Sequence, residues 1–178
     1  MFTAIILKHI EGFSNYTIHI YHFKTKSIMT TNENISEIKL YYKPRKTVAS
    51  RITCSGDAYK QMLKFYDQNT IALQEQFIIL YLNRANMVLG AHQLFTGGLT
   101  GTIADIRLIM GIALKSMACG IIISHNHPSG NLIPSEADRT LTDKVKKACD
   151  LMDIKLYDHI IVSPNEGTFY SFADEGEL

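Results

Sequence analysis

The feature that most constrains the fold is a short apolar run that leads directly into a pair of histidines. The run Cys119-Gly120-Ile121-Ile122-Ile123-Ser124 has the composition and length of a strand buried on both faces. His125 and His127 follow at a spacing of two, so their side chains leave an extended segment on one face, while Asn126 points to the other. The sequence therefore predicts an α/β fold with two imidazoles at the C-terminal end of a strand, where open α/β sheets place ligand sites.

An amphipathic helix is predicted after the loop that follows the histidines. Ser135 is a suitable N-cap, and apolar residues then recur at steps of four, four, three and four. These residues are Ala137, Leu141, Val145, Ala148 and Met152. At roughly 100° per residue, Asp138 lies about 20° from Val145 around the helix, so its carboxylate faces inward. An inward carboxylate requires a cation or hydrogen-bond donors.

Two interpretations of this segment compete. In the first, Ser135 and Asp138 form a capping box at the positive end of the helix dipole, and the histidines are ordinary loop residues. In the second, His125, His127 and Asp138 bind a divalent metal and leave a fourth position open for water, as in a catalytic zinc site. Capping explains Asp138 but not two histidines on one face of a buried strand end. The sequence therefore favours the metal site, with one Zn²⁺ per chain.

The motif resembles the JAMM signature of the JAB/MPN+ metalloproteases. Its pattern is His-x-His-Pro, with seven residues between His127 and Ser135, followed by x-x-Asp138. In that family a glutamate lies upstream at the start of a strand, and Glu75 occupies the matching place before Gln76-Phe77-Ile78-Ile79-Leu80. The resemblance implies that Glu75 transfers the proton of the attacking water and that Ser135 stabilises the oxyanion. Without the family, Glu75 would be interpreted as a solvated residue at a strand edge.

The resemblance narrows to the RadC-like branch and covers the chain from about Ile35 to its end. The segments that carry it are Leu82-Asn83-Arg84-Ala85-Asn86, Gly97-Gly98-Leu99-Thr100-Gly101-Thr102, His125 to Gly130, Pro134-Ser135, Asp158-His159-Ile160-Ile161-Val162 and Tyr170-Ser171-Phe172-Ala173-Asp174-Glu175-Gly176. It implies a single JAB/MPN domain of cytidine-deaminase-like architecture, with a mixed β-sheet flanked by helices and an N-terminal extension. It also implies zinc-dependent hydrolysis of a peptide or isopeptide bond in a protein or peptide substrate.

Other functions fit the sequence less well. An inactive MPN-type scaffold or a DNA-repair-associated protein is the main alternative, but such scaffolds typically lose metal ligands that this chain retains. Longer RadC proteins resemble a fusion with a helix-hairpin-helix module, and no such module is visible here, so a direct DNA role gains no support. The contiguous His-Asn-His tripeptide does not match the dispersed residues of HNH nucleases. A zinc nucleobase deaminase would need Pro-Cys-x-x-Cys ligands, which the sequence does not supply.

Two further residues near the motif are candidates for the site. His159 follows Asp158 in a predicted strand and either lines the metal site or is a satisfied structural histidine, and the structural role is the favoured interpretation. Asn126 is predicted to orient the loop.

Charge is distributed unevenly along the chain. The balance is +5 before Glu75 and −4 from Glu75 onward. The basic part includes Lys43-Pro44-Arg45-Lys46 and Arg51, which would suit an acidic partner or nucleic acid. Because no aromatic interleaving or docking motif accompanies these residues, a solvated linker is the favoured interpretation.

Composition and hydropathy indicate a cytoplasmic protein without a membrane span. The three cysteines are widely spaced and odd in number, which argues against a disulfide framework. The apolar start of the chain is interrupted by Lys8, His9 and Glu11 too early for a signal peptide or a span. The sequence does not indicate an oligomeric state.

The predicted organisation has three parts. Residues 1–34 form an N-terminal extension, residues 35–54 a strand over Ile35 to Tyr42 with a basic linker, and residues 55–178 the RadC-like domain. Tyr16 to Phe23 alternates like a strand but has no obvious partner. Because the resemblance begins after Met29, we expect Met29 to be a plausible native start and residues 1–28 to be an upstream extension.

The remaining elements are predicted from caps and periodicity. Ser55 is expected to cap a helix to about Tyr66, and Asp105 one that ends before Gly120. Their predicted inward residues are Ala58, Met62 and Phe65 in the first helix, and Leu108, Ile109 and Ile112 in the second. Further strands are predicted at Phe77 to Leu82, Met87 to Phe95, Ile154 to Val162 and Thr168 to Phe172.

Overall fold

The computed structural model describes residues 2–9, 16–23, 50–96 and 104–178, and divides the chain into the units Met1–Lys39 and Leu40–Leu178. In the first unit, strands β1 (Phe2–His9) and β2 (Tyr16–Phe23) form an antiparallel pair. The expectation that Tyr16–Phe23 lacks a partner is therefore wrong, because the apolar start of the chain is itself a strand. Three segments named above lie outside the described residues: the predicted strand at Ile35 to Tyr42, the basic segment 43–46, and the segment 97–102 that carries part of the family resemblance.

The described residues of the second unit form one five-stranded mixed sheet and three helices. The strands are β3 (Gln76–Leu82), β4 (Val88–Thr96), β5 (Gly120–Asn126), β6 (Lys155–Val162) and β7 (Phe169–Ser171). The helices are α1 (Ser55–Met62), α2 (Ile106–Lys115) and α3 (Glu136–Asp150). The strand order is β4-β3-β5-β6-β7, in which β5 and β6 are parallel and the other neighbours antiparallel. The expected architecture, a mixed sheet flanked by helices, is confirmed.

The central strands β3 and β5 are buried along their whole length, as the apolar run predicts. Alternate side chains enter two different cores because successive residues of a strand face opposite sides. Ile121 and Ile123 pack with the apolar residues of α2 and α3, whereas Ile122 packs with those of α1. By the same alternation, His125 belongs to the face of the sheet that α2 and α3 cover.

Helix α1 is shorter than predicted and has a different cap. Cys54 is the N-cap, and the helix ends at Met62 rather than near Tyr66. Ser55 does not cap because its hydroxyl donates to Asp174 near the C-terminus. Phe65, beyond the helix end, is 45% exposed and does not join the predicted apolar face.

The other two helices begin as predicted, but their buried faces are rotated. Asp105 caps α2 by accepting from the Arg107 amide at 2.9 Å, which confirms the prediction. Leu108 is 46% exposed, however, because the inward positions are taken by the fully buried Ile109 and its neighbours Met110 and Ala113.

In α3, the predicted N-cap at Ser135 and the inward position of Val145 are confirmed. Thr142 and Cys149 complete the buried face, whereas Ala137 is exposed. Met152 lies beyond the helix end and is 45% exposed. No helix in the described part of the chain combines the length and apolar character that crossing a bilayer requires.

Candidate metal centre

Three candidate metal ligands meet where the end of β5 faces the first turn of α3. Potential ligand atoms of His125, His127 and Asp138 all lie within 4.8 Å of one another. The Nε2 atoms of the two histidines are 2.9 Å apart. Asp138 places Oδ1 3.2 Å from Nε2 of His125 and Oδ2 3.6 Å from Nε2 of His127. The structure thus brings together two imidazole nitrogens and a carboxylate.

The loop between β5 and α3 is folded back by its backbone hydrogen bonds. The His127 amide donates to the Val162 carbonyl at 3.0 Å, which extends the pairing of β5 with β6 by one residue. Gly130 then donates to the His127 carbonyl at 2.9 Å with φ of 77°, a conformation that glycine adopts without a Cβ penalty. This turn starts the path that brings Ser135 and α3 to the histidines.

A capping box fixes the carboxylate of this group. The Ser135 amide and hydroxyl donate to Oδ2 of Asp138 at 2.7 and 2.6 Å, and the Asp138 amide donates to the Ser135 hydroxyl at 3.2 Å. The capping and metal-site interpretations are therefore compatible, because one carboxylate accepts from the cap and also faces the histidines. The Ser135 hydroxyl is exposed, but its hydrogen is directed at Asp138.

The electrostatics of the group favour a bound cation. Partial burial opposes ionisation of Asp138, but the neighbouring imidazoles of His125 and His127 outweigh it and hold the pKa of this carboxyl well below its usual range. The hydrogen bond with Asp138 raises the pKa of His127 above its ordinary value, against the opposing effect of partial burial. In the absence of a metal, the site therefore attracts a proton.

The donor set fits a divalent metal. Nδ1 of His127 lies 2.6 Å from the Asn131 carbonyl, which can only accept, so Nδ1 carries the ring hydrogen. In the neutral ring this leaves a lone pair on Nε2, the atom that faces His125 and Asp138. Two imidazole nitrogens and one carboxylate oxygen are ligands that zinc accepts, and three protein ligands leave a coordination position open.

Glu75 lies just before the strand that pairs with β5. In the antiparallel pair β3–β5, Phe77 is opposite His125, and Glu75 is two residues before Phe77. Glu75 is half-buried, and its negative charge is one of the smaller contributions that raise the pKa of His127. Glu75 lies outside the three-residue ligand group.

Asn126 orients the segment that carries Glu75. Its side chain is fully buried, on the opposite face from the histidines. Oδ1 accepts from the Gln76 amide at 2.7 Å, and Nδ2 donates to the carbonyls of Ile71 and Gln74 at 2.6 and 3.0 Å. The amide thus holds the chain on both sides of Glu75.

His159 contacts a ligand rather than joining the ligand group. It is fully buried, its ring stacks on Phe172 with centroids 4.7 Å apart, and its Nε2 lies 2.9 Å from Nδ1 of His125. Its other nitrogen lies 2.6 Å from the hydroxyl of Thr142, a residue that the sequence reasoning missed. The sequence could have indicated Thr142, because it lies four residues after Asp138 and so on the same helix face.

Comparison with known proteins identifies the family of this chain. A UPF0758 protein of Flavobacterium johnsoniae is 43% identical over 126 residues, which are 71% of this chain and 53% of that protein. A UPF0758 protein of Porphyromonas gingivalis is 39% identical over 155 residues, 87% of this chain and 65% of that protein. The chain thus spans between about half and two thirds of these relatives. The RadC-like JAB domain family matches residues 52–177, and the chain belongs to this family.

Proposed function

We propose that this chain is a zinc-dependent metallopeptidase that hydrolyses a peptide or isopeptide bond in a protein or peptide substrate. The observation that carries the proposal is the convergence of His125, His127 and Asp138, with Glu75 two residues before Phe77, the residue that pairs with His125. A structural zinc site would have four protein ligands, whereas a catalytic site keeps a position for water. A carboxylate next to such a position is suited to general base catalysis.

The residues of the candidate centre have separate roles in the proposed hydrolysis. When zinc is bound, it lowers the pKa of a coordinated water toward neutrality and polarises the scissile carbonyl. His125, His127 and Asp138 would hold the metal, with Asp138 fixed by its capping bonds. Glu75 accepts the water proton and passes it to the leaving amine. Ser135 can donate to the oxyanion once its hydrogen turns away from Asp138, so its contribution is expected to be smaller than that of a preorganised donor.

Removal and return of the metal test this function directly. The purified protein is assayed for metal content and for hydrolysis of a panel of peptides and isopeptide-linked peptides. We expect a chelator to remove about one zinc per chain and abolish hydrolysis, and added Zn²⁺ to restore it. Full hydrolysis by metal-free protein would contradict the proposal.

Metal retention is expected to decrease in acid. Histidine ligands bind metal only in the neutral form, and Asp138 raises the pKa of His127, so protons compete at a higher pH than for an ordinary histidine. The apparent zinc affinity should therefore fall as the pH drops through the raised pKa of His127, with the loss well developed below roughly pH 6.5. Competition with a chromogenic chelator from about pH 8 to 5 measures this, and unchanged affinity at about pH 5 would argue against His-His-Asp ligation.

A further inference from the structure

We propose that Thr142 and His159 form a hydrogen-bonded relay that fixes the tautomer of His125 and keeps its Nε2 free of hydrogen for the metal. Both act as positioning residues, because they reach the centre only through His125. The inference rests on the metal centre of the proposed function, but not on whether that centre hydrolyses peptides.

The relay is a continuous chain of short contacts. The Thr142 hydroxyl donates to the Asp138 carbonyl at 2.6 Å and lies 2.6 Å from Nδ1 of His159. Nε2 of His159 lies 2.9 Å from Nδ1 of His125. Thr142 and His159 are both buried, so water does not compete readily for these contacts. The path thus runs from the backbone of one ligand residue to the ring of another.

The single hydrogen of the threonine hydroxyl sets the direction of every bond. A carbonyl only accepts, so the Thr142 hydroxyl donates its hydrogen to the Asp138 carbonyl. The hydroxyl oxygen must then accept from Nδ1–H of His159. The fully buried His159 contacts a hydroxyl and another imidazole through its ring nitrogens, and no carboxylate among the described residues bonds to it. Burial of an unpaired charge is costly, so the ring is neutral. Its Nε2 is then an acceptor for Nδ1–H of His125, which leaves a lone pair on Nε2 of His125.

His127 also has its ring hydrogen on Nδ1, but the acceptor of that hydrogen is a different group. Nδ1 of His127 is 2.6 Å from the Asn131 carbonyl, so a backbone acceptor fixes its tautomer. His125 sits in a strand whose neighbouring backbone groups are paired in the sheet, so a side chain must supply its acceptor. His159, directly opposite Ile123 on β6, is on the correct face to do so. Metal-binding histidines commonly depend on such an outer partner for ring orientation.

Loss of the Thr142 hydroxyl would release this control. His159 could then carry its hydrogen on Nε2 and donate it to Nδ1 of His125. The hydrogen of His125 would move to its own Nε2, where it blocks the metal. Because Thr142→Val removes the hydroxyl with little change in shape, and Thr142→Ser retains it, the pair separates the hydrogen bond from packing.

The test measures zinc affinity and imidazole tautomers without any peptidase assay. Zinc affinity is determined by chelator competition for the wild type, Thr142→Val, Thr142→Ser and the exposed helix control Thr140→Val. We expect Thr142→Val to weaken zinc binding by roughly 10- to 100-fold, the usual effect of losing an outer-shell partner, and the other two to bind within about threefold of wild type.

Nitrogen-15 chemical shifts of the histidine rings provide the second readout. In the zinc-loaded wild type, we expect both His125 and His159 to carry their ring hydrogen on Nδ1. Zinc-loaded wild-type spectra with the hydrogen on Nε2 of His159, or Thr142→Val with unchanged zinc affinity, would overturn the relay. The wild-type spectrum tests the relay even if Thr142→Val does not fold. If the protein hydrolyses none of the peptides, these results still stand, because neither measurement uses peptidase activity.

Discussion

Replacement of Glu75 with glutamine is expected to lower the rate of peptide hydrolysis by roughly 10²- to 10⁴-fold while the protein still binds zinc. The substitution preserves size and hydrogen bonding but removes the basic oxygen that would accept the water proton. Glu75 lies outside the ligand group, so the zinc affinity should change little. Steady-state kinetics and metal content of the two proteins measure both effects.

The matched control for this substitution is Glu136→Gln. Glu136 is the first residue of α3, exposed, and close in sequence to the ligand Asp138, so it loses the same charge near the same centre. We expect its hydrolysis rate to stay within about threefold of wild type, since surface charges are weakly coupled to a partly buried site. Equal rates for wild type and Glu75→Gln, with zinc bound in both, would rule out Glu75 as the base. Zinc binding without hydrolysis in either protein would favour the scaffold alternative.

The sequence predicted the parts of the fold that depend on local pattern. The β-branched run before His125 and the caps at Asp105 and Ser135 each give a short-range signal, and the corresponding elements lie where expected. The sequence predicted less well which face of each helix is buried. Leu108 fits an apolar stripe, yet tertiary packing selects the neighbouring Ile109 and Met110 for the core.

Contacts between distant segments explain the other differences. Ser55 has the right residue type for an N-cap, but its hydroxyl is committed to Asp174, more than a hundred residues later. Thr142 and His159 touch only because α3 packs on β6. Such pairings depend on how elements pack, which periodicity along one segment cannot reveal. The prediction that His125 and His127 share one face, by contrast, required only the alternation of side chains along a single strand.

The first turn of α3 combines two functions in one carboxylate. The hydrogen bonds between Asp138 and Ser135 complete a capping box, and this capping role alone would account for an aspartate at the start of the helix. Those same bonds hold the carboxylate in place beside the histidines, with Oδ1 3.2 Å from Nε2 of His125. If Asp138 binds the metal as proposed, folding of the helix orders this ligand before any metal arrives, which would lower the entropic cost of binding.

Replacement of Asn126 with alanine is expected to lower both stability and hydrolysis, with a much smaller effect on zinc affinity. The substitution removes three hydrogen bonds and leaves the Gln76 amide and the Ile71 and Gln74 carbonyls without their partner. An unsatisfied buried polar group costs about 1–3 kcal/mol, so we expect the free energy of unfolding to fall by about 3 kcal/mol or more.

The functional effect of this substitution follows from the position of Glu75 between two of the released groups. Gln74 and Gln76 are both anchored by Asn126, so its loss lets Glu75 move relative to His127, and a misplaced base slows proton transfer. Denaturant unfolding measures the first effect, and kinetics at a temperature where the variant is folded measure the second. Asn69→Ala is the control, because Asn69 is exposed and bonds to Asp67 at the surface, and it should cost no more than about 0.5 kcal/mol. Wild-type kcat in folded Asn126→Ala would show that Glu75 is positioned by other contacts.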